Sequence, residues 1–330
     1  MISTEKLKAV KTLVCHGPGC ADGVASAMLL KDALSDNDPE IIFCQYGKQQ
    51  QELEVKPGML FCDFSPHKDQ VQAHIEAGTI VLDHHKWTKG VVEAFGDNGV
   101  FADEKDEPGV SGAVLAFREV WVPLLGDVRF GQTQRAQVFA ILAGVYDTWQ
   151  TGDPELWALG RVQERALRNF SPKELLGKSH PFADVPDSEQ WWSEKLLVGK
   201  ALIDKLDADV AGALKGAYRY NTPAGTRVII FEGTVLTSIA AEVVDQAADL
   251  IIGYNYMIEG DDDALMIIST RSHTGYDCMK FCGEFGGGGH SAAAGFSKTW
   301  KVKDGDKDPY SVVKAFVQQH EANADAAVPS

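Results

Sequence analysis

The run Asp83-His84-His85 closes the apolar, β-branched stretch Thr79-Ile80-Val81-Leu82, setting one carboxylate and two imidazoles at the expected carboxyl end of a buried strand. Ligands of open α/β sheets bind at that end. Adjacent side chains on an extended segment point to opposite sides, so one histidine can ligate a metal while the other faces a substrate or a structural partner. Similar residue types close other elements. His16, Cys20 and Asp22 share one loop with the spacing H-x3-C-x-D, Asp63 follows the apolar Met59-Leu60-Phe61-Cys62, and Asp147 ends a helical pattern. Oxygen and imidazole ligands from several rim loops suit Mn2+, Mg2+ or a similar divalent cation, particularly where one carboxylate bridges two ions. Such ions lower the pKa of a bound water and offset charge on the non-bridging oxygens of a phosphate during in-line attack. The chemistry that these residue types suit is phosphate ester hydrolysis.

A second group lies toward the carboxyl terminus, in Phe285-Gly286-Gly287-Gly288-Gly289-His290. Consecutive glycines let backbone N–H groups approach a phosphate or carboxylate closely, and His290 with Arg271 can add charge-assisted contacts. The rival reading is a flexible linker; against it, Ala292-Ala293-Ala294-Gly295-Phe296 resumes at once as packable sequence.

The elements that must position these groups alternate along the chain. A first strand at 12–15 meets the Gly/Pro loop 16–23, and a helical pattern starts at Val24. Strands at 41–46 and 59–62 follow, and a helix over 66–77 leads into the strand that ends at Asp83, as a mainly parallel sheet requires. Helices are predicted at 111–121, 133–146 and 155–170 from apolar residues three or four apart. Pro172, Pro181 and Pro186 make 171–188 read as a linker. Beyond it the pattern predicts a long helix at 189–215, with Trp191 and Trp192 as packing residues near its start. Then come a strand at 227–231, a helix at 238–248, strands at 250–258 and 264–270 and a helix around Cys278. Asp261-Asp262-Asp263 reads as a solvated hairpin turn, and the tail from Asn323 as frayed.

With 330 residues, 45% of them hydrophobic, the chain can build two domains with cores of their own. The formal charge of −16 argues against a general binder of long duplexes, whose affinity comes mainly from Lys and Arg neutralising phosphates. An acidic protein that handles phosphate needs metal ions or a small basic pocket. No apolar run reaches the roughly 18 to 20 residues of a membrane span, and the start lacks a basic-then-apolar leader, so a cytoplasmic location is expected. The six cysteines lack zinc-finger spacing and read as reduced thiols.

In this order and spacing, the loop His16 to Gly23, Asp63, Asp83-His84-His85, Asp147 and the glycine run ending at His290 resemble the DHH phosphoesterase superfamily, specifically its branch with a C-terminal DHH-associated (DHHA1) domain. The resemblance covers nearly the whole chain. It implies an α/β fold in which a mainly parallel-sheet DHH catalytic domain (1–187) joins a smaller α/β DHHA1 substrate-binding domain (188–330), with the site in the cleft between them. It further implies one metal site from His16, Cys20 and Asp63, and a second from Asp22, Asp63, His84 and Asp147, bridged by Asp63. His85 would face the phosphate, Asp83 would orient the histidines, and Arg271, Gly287, Gly288, Gly289 and His290 would hold the phosphate or base end. Cys20 stands where the family carries aspartate; a thiolate is softer and favours Zn2+ or Fe2+ over Mn2+ or Mg2+. The activity implied is Mn2+-dependent hydrolysis of a short single-stranded RNA or DNA, or of a dinucleotide, to nucleoside monophosphates. A nucleoside bisphosphate phosphatase, a polyphosphate hydrolase and a nucleotide-binding protein with weak activity stay open, as does the oligomeric state; no membrane partner is expected.

Overall fold

The computed structural model describes residues 2–126, 129–177, 181–182, 187–244, 248–259, 263–301 and 308–326. The chain divides into two compact units, Met1–Ile203 and Asp204–Ser330. In the first, strands β1 (Thr12–His16), β2 (Glu40–Cys44), β3 (Met59–Cys62), β4 (Ile80–Asp83) and β5 (Gly99–Phe101) form an all-parallel sheet in the order β2-β1-β3-β4-β5. Parallel strands are covered on both faces, which is why β3 and β4 are apolar at nearly every position and buried throughout. Leu13, Cys15, Leu60, Cys62 and Leu82 pack into one core together with the Ala21–Ala33 helix, while Val14, Phe61 and Val81 face the other way onto Phe64, Val92 and Phe95.

This strand order makes β1 and β3 neighbours whose onward connections leave in opposite directions, β1 to β2 on one side and β3 to β4 on the other. A crevice opens at the carboxyl ends of such a pair, where open α/β sheets bind their ligands. His16 ends β1 and Asp63 follows β3. The topology therefore delivers the chemistry-bearing residues to one place.

Some predicted elements differ in extent. The helix expected over 66–77 is a 3-10 turn, Lys68–Gln70, and a short helix, Val71–Glu76. The one expected over 111–121 is Gly112–Ala116 followed by a wider π-helical turn, Phe117–Trp121. Among its described residues, the proline-rich stretch carries the helix Pro172–Leu175, and Leu175 and Phe182 are fully buried in the first core. The division of the chain falls instead inside the long helix Ser188–Lys215. Trp191 and Trp192 at its start pack on the first core, which ties that end of the helix to the first unit.

The second unit is a six-stranded sheet of β6 (Tyr218–Asn221), β7 (Arg227–Glu232), β8 (Leu250–Glu259), β9 (Asp263–Arg271), β10 (Gly288–His290) and β11 (Ala293–Lys301), in the order β10-β11-β9-β8-β7-β6. Only β7 and β8 pair in parallel; the other pairs are antiparallel. Its core joins Ile230, Ile252, Met266, Ile268 and Phe296 to Cys278 and Phe281 of the Cys278–Gly283 helix and to Val313 and Val317 of the Pro309–Ala326 helix. Residues 261–262 of the expected acidic turn lie outside the described residues, and the expected frayed tail is helical as far as Ala326. Among the described residues no helix is long and apolar enough to cross a membrane.

Candidate metal centre

At the rim of the first sheet the chain gathers side chains from five separate places. Cys20 caps the Ala21–Ala33 helix, its sulfur accepting from the Gly23 N–H at 3.5 Å, and Asp22 sits in that helix's first turn. Asp147 is the last residue of the Phe130–Asp147 helix. Three ligand-type groupings result: His16 with Cys20 and Asp63; Asp63 with His84 and His85; and Asp22 with His84 and Asp147. Within each, the donor atoms lie within 4.8 Å of one another.

Asp63 is the centre. Its Oδ2 accepts from the Cys20 thiol at 3.3 Å and lies 3.8 Å from His16 Nδ1, while its Oδ1 lies 3.1 Å from His84 Nε2 and 3.9 Å from His85 Nδ1. Asp63 is 1% exposed and holds φ +56°, a left-handed backbone that non-glycine residues seldom adopt. Such a conformation persists where the surroundings impose it. Here Cys62 anchors the backbone before it, donating its thiol to the Gly112 carbonyl at 3.2 Å, and the Asp63 N–H joins the Leu82 carbonyl at 3.0 Å.

His84 Nε2 also lies 3.5 Å from Asp147 Oδ2 and 3.9 Å from Asp22 Oδ2. Asp22 is fixed by three donors: Ser111 Oγ at 2.7 Å, the Gly112 N–H at 2.7 Å and the Ala113 N–H at 3.1 Å. These are the first amides and the cap of the Gly112–Ala116 helix, a natural anion site. Gly112 is required there, because a Cβ would fall 2.3 Å from the Asp63 Cβ and 2.9 Å from Asp22 Oδ2.

Asp83 plays a different part. It is wholly buried, and its Oδ1 accepts from the His84 N–H (2.8 Å), the His85 N–H (3.2 Å) and His85 Nδ1 (2.7 Å), while Oδ2 accepts from Ser65 Oγ at 2.5 Å. With both oxygens engaged it orients the two histidines. Trp87, 55% exposed, lays its ring 4.5 Å from that of His85, and Tyr46 packs edge-on against His16 at 5.3 Å.

Charge at the site is out of balance. Burial and the charge of Asp22 push Asp63 up to about 7, and desolvation and the same charge push Asp147 up to about 6. Burial opposes protonation of His84, but the Asp63 hydrogen bond and the charges of Asp147, Asp63 and Asp22 win and lift it to about 10. Asp83 is held at about 2: burial favours its neutral form, and the hydrogen bond and charge of His85, with Ser65, overcome that. Burial and the neighbouring carboxylates raise the Cys20 thiol. His16 moves the other way, lowered by burial and by the charge of His85. Its Nδ1 is buried with no hydrogen-bond partner. Clustered carboxylates balanced by protons, beside a neutral imidazole nitrogen without a partner, are what a divalent cation would satisfy; the residues fit such an ion.

His16, Cys20, Asp22, Asp63, His84 and Asp147, the ligands expected from sequence, thus all fall in these groupings, and His85 and Asp83 complete the cluster. Ser65, Ser111 and Gly112 were not expected. Ser111 carries the one available signal, a serine directly before a helical pattern. His74, His273 and His320, away from this cluster, bond to Thr79 Oγ1, the Ala241 carbonyl and Glu284.

The glycine run in the second unit is a hairpin. Gly288 pairs with Gly295, Gly289 with Ala294 and His290 with Ala293. Ala293 in turn pairs with Arg271, so His290 and Arg271 occupy one register row with a single strand between them. A Cβ at Gly287 would fall 2.2 Å from the Gly295 carbonyl oxygen, so hairpin packing itself requires glycine there. Arg271 donates to the Thr270 carbonyl at 2.8 Å and to Ser269 Oγ at 3.3 Å.

No protein-family model and no curated protein sequence matches the chain. Solved structures do. A DHH-domain protein described as a member of the s1p family of ribosomal proteins aligns at 13% identity and a TM-score of 0.59, over 95% of this chain and 87% of the other. RecJ from Thermus thermophilus, in complex with Mn2+, aligns at 17% identity and a TM-score of 0.51, over 99% of this chain and 54% of RecJ. At these identities the likeness is one of fold: the chain carries the fold shared by this DHH-domain protein and RecJ.

Proposed function

We propose that the chain is a metal-dependent phosphodiesterase that hydrolyses short single-stranded oligonucleotides or dinucleotides to nucleoside monophosphates. One observation carries the reading: the two oxygens of Asp63 face different ligand sets, Oδ2 toward His16 and Cys20 and Oδ1 toward His84. A carboxylate so placed can bridge two cations, held by His16, Cys20 and Asp63 on one side and by Asp22, Asp63, His84 and Asp147 on the other. Mn2+ is the cation proposed for the set of Asp22, Asp63, His84 and Asp147, in keeping with the metal of the RecJ structure. When bound, the ions supply an activated water and offset phosphate charge.

The chain's own residues do the rest. Asp83 fixes His85 by accepting at Nδ1, and although burial opposes it, that hydrogen bond and the charge of Asp83 raise the pKa of His85. Its protonated ring faces a phosphate oxygen, and Nε2 holds a proton for the departing alkoxide. Trp87 offers a face on which a base can stack. Arg271, His290 and the backbone of Gly288 and Gly289 hold the terminal phosphate, while Gly287, whose N–H donates to the Cys282 carbonyl at 3.0 Å, shapes the turn. The net charge of −16 favours short strands over long duplexes.

The test is incubation with Mn2+ and, in separate reactions, a labelled short oligoribonucleotide, a cyclic dinucleotide, a nucleoside bisphosphate and polyphosphate. Release of nucleoside monophosphates from the oligonucleotide, abolished by a chelator, is expected. Turnover confined to the bisphosphate or polyphosphate would reassign the substrate, and no turnover of any would overturn the enzyme reading.

A further inference from the structure

The two ligand sets that share Asp63 differ in chemical softness. One offers the imidazole Nδ1 of His16, the sulfur of Cys20 and Asp63 Oδ2; the other offers His84 Nε2 with carboxylate oxygens of Asp22, Asp63 and Asp147. A nitrogen-sulfur-oxygen set selects borderline or soft ions such as Zn2+ or Fe2+, and a set dominated by carboxylates suits Mn2+ or Mg2+. From this, and resting on the metal-centre reading above, we propose that the protein holds a mixed pair of ions, zinc or ferrous iron at His16-Cys20-Asp63 and manganese or magnesium at Asp22-Asp63-His84-Asp147.

The geometry of the first set points the same way. Donor atoms that share one ion must lie within a few ångströms of one another. Cys20 Sγ lies 3.3 Å from Asp63 Oδ2, and His16 Nδ1 lies 3.8 Å from it. His16, Cys20 and Asp63 would supply three donors to such an ion. His16 Nδ1, buried without a hydrogen-bond partner, is the donor ready for it. Its ring is held by Phe64, stacked at 5.9 Å and 19°, and by Tyr46 edge-on. Cys20 caps a 13-residue helix, and the Gly23 N–H donates to its sulfur at 3.5 Å, which fixes the sulfur beside Asp63. When the ion binds, the S–H bond breaks, the proton leaves to solvent and a sulfur–metal bond forms, with no change in oxidation state.

The test starts from full-length metal-free protein, dialysed anaerobically against Mn2+ in large excess over Zn2+, which offsets the general preference of N and O ligands for zinc, and then analysed for both elements. About one zinc and one manganese per chain are expected, with an electron paramagnetic resonance signal of isolated rather than exchange-coupled Mn2+. Co2+ added to metal-free protein should give a thiolate-to-cobalt charge-transfer band, lost in C20S, while thermal melts confirm that the variant folds. In C20D the same dialysis should yield two manganese ions. Two manganese ions in the wild type, or a cobalt spectrum unchanged by C20S, overturns the mixed pair and leaves a two-metal centre standing. Absence of any bound metal overturns the metal-centre reading itself.

Discussion

Gly112→Ala separates two effects of opposite sign. The residue opens the Gly112–Ala116 helix, and replacing an exposed helical glycine by alanine stabilises by about 1 kcal/mol. Here the added methyl would sit 2.3 Å from the Asp63 Cβ, more than 1 Å inside the roughly 3.5 Å at which two carbons attract. It would also lie 2.9 Å from Asp22 Oδ2, the oxygen that the Gly112 N–H holds at 2.7 Å. Both neighbours are wholly buried carboxylates on packed elements, so neither can swing away as the end of a flexible chain does. Overpacking of this kind costs about 1–3 kcal/mol and outweighs the propensity gain. A displacement of about 1 Å at Asp63 should weaken Mn2+ binding some 10- to 100-fold, as loss of supporting contacts around a metal does. Thermal melts and calorimetric Mn2+ titration read both quantities. Gly131→Ala is the control, because a Cβ there meets nothing within 4 Å. A folded Gly112→Ala protein that binds Mn2+ as tightly as the wild type would refute the placement of Asp63 and Asp22 in one metal cradle.

Asp83→Asn should leave Mn2+ affinity near the wild-type value yet lower kcat by about 10- to 100-fold, since His85 loses the negative charge that favours its protonated ring; steady-state kinetics beside metal titration separate the two. Trp87→Ala should raise KM for an oligonucleotide by roughly 5- to 150-fold, the range of about 1–3 kcal/mol per stacked base, with KM for an abasic analogue unchanged. Equal losses on both substrates would assign Trp87 to packing. Asp32 tests the scaffold apart from the site: burial pushes its carboxyl up to about 6, with Arg129 opposing. The folded state therefore holds this proton more tightly than the unfolded chain does, so its contribution is complete below about pH 4 and is lost as pH rises through 6. At about 1.4 kcal/mol per pKa unit the change is at most about 3 kcal/mol, and Asp32→Asn should flatten the slope of stability between pH 4 and pH 7 in denaturant titrations. An unchanged slope would show that another group sets it.

The first sheet was readable because each strand is an apolar run cut off by a polar group, and parallel strands covered on both faces leave that trace: Met59 to Cys62 before Asp63, Ile80 to Leu82 before Asp83. Its short last strand, β5, was not anticipated; Gly99–Phe101 has only three residues, too few for a period. The supports of the metal cradle were hidden for another reason. Ser111 and Gly112 reach Asp22 across about 90 residues of sequence, and no local pattern announces such a contact. Prolines misled at 171–188, where they punctuate a segment that Leu175 and Phe182 anchor in the core. In the second unit β11 was passed over because Ala293–Lys301 mixes small, polar and aromatic residues, and the Pro309–Ala326 helix because its apolar stripe is narrow.

The most direct test of a bridged metal centre that cleaves phosphodiesters is the turnover of a labelled dinucleotide as Mn2+ is titrated into metal-free protein, for the wild type and for Asp63→Ala. Hydrolysis to nucleoside monophosphates should rise with Mn2+ in the wild type and stay at background in Asp63→Ala at every Mn2+ concentration. Turnover that persists in excess chelator, or a folded Asp63→Ala protein that matches the wild type, would contradict a bridged metal centre.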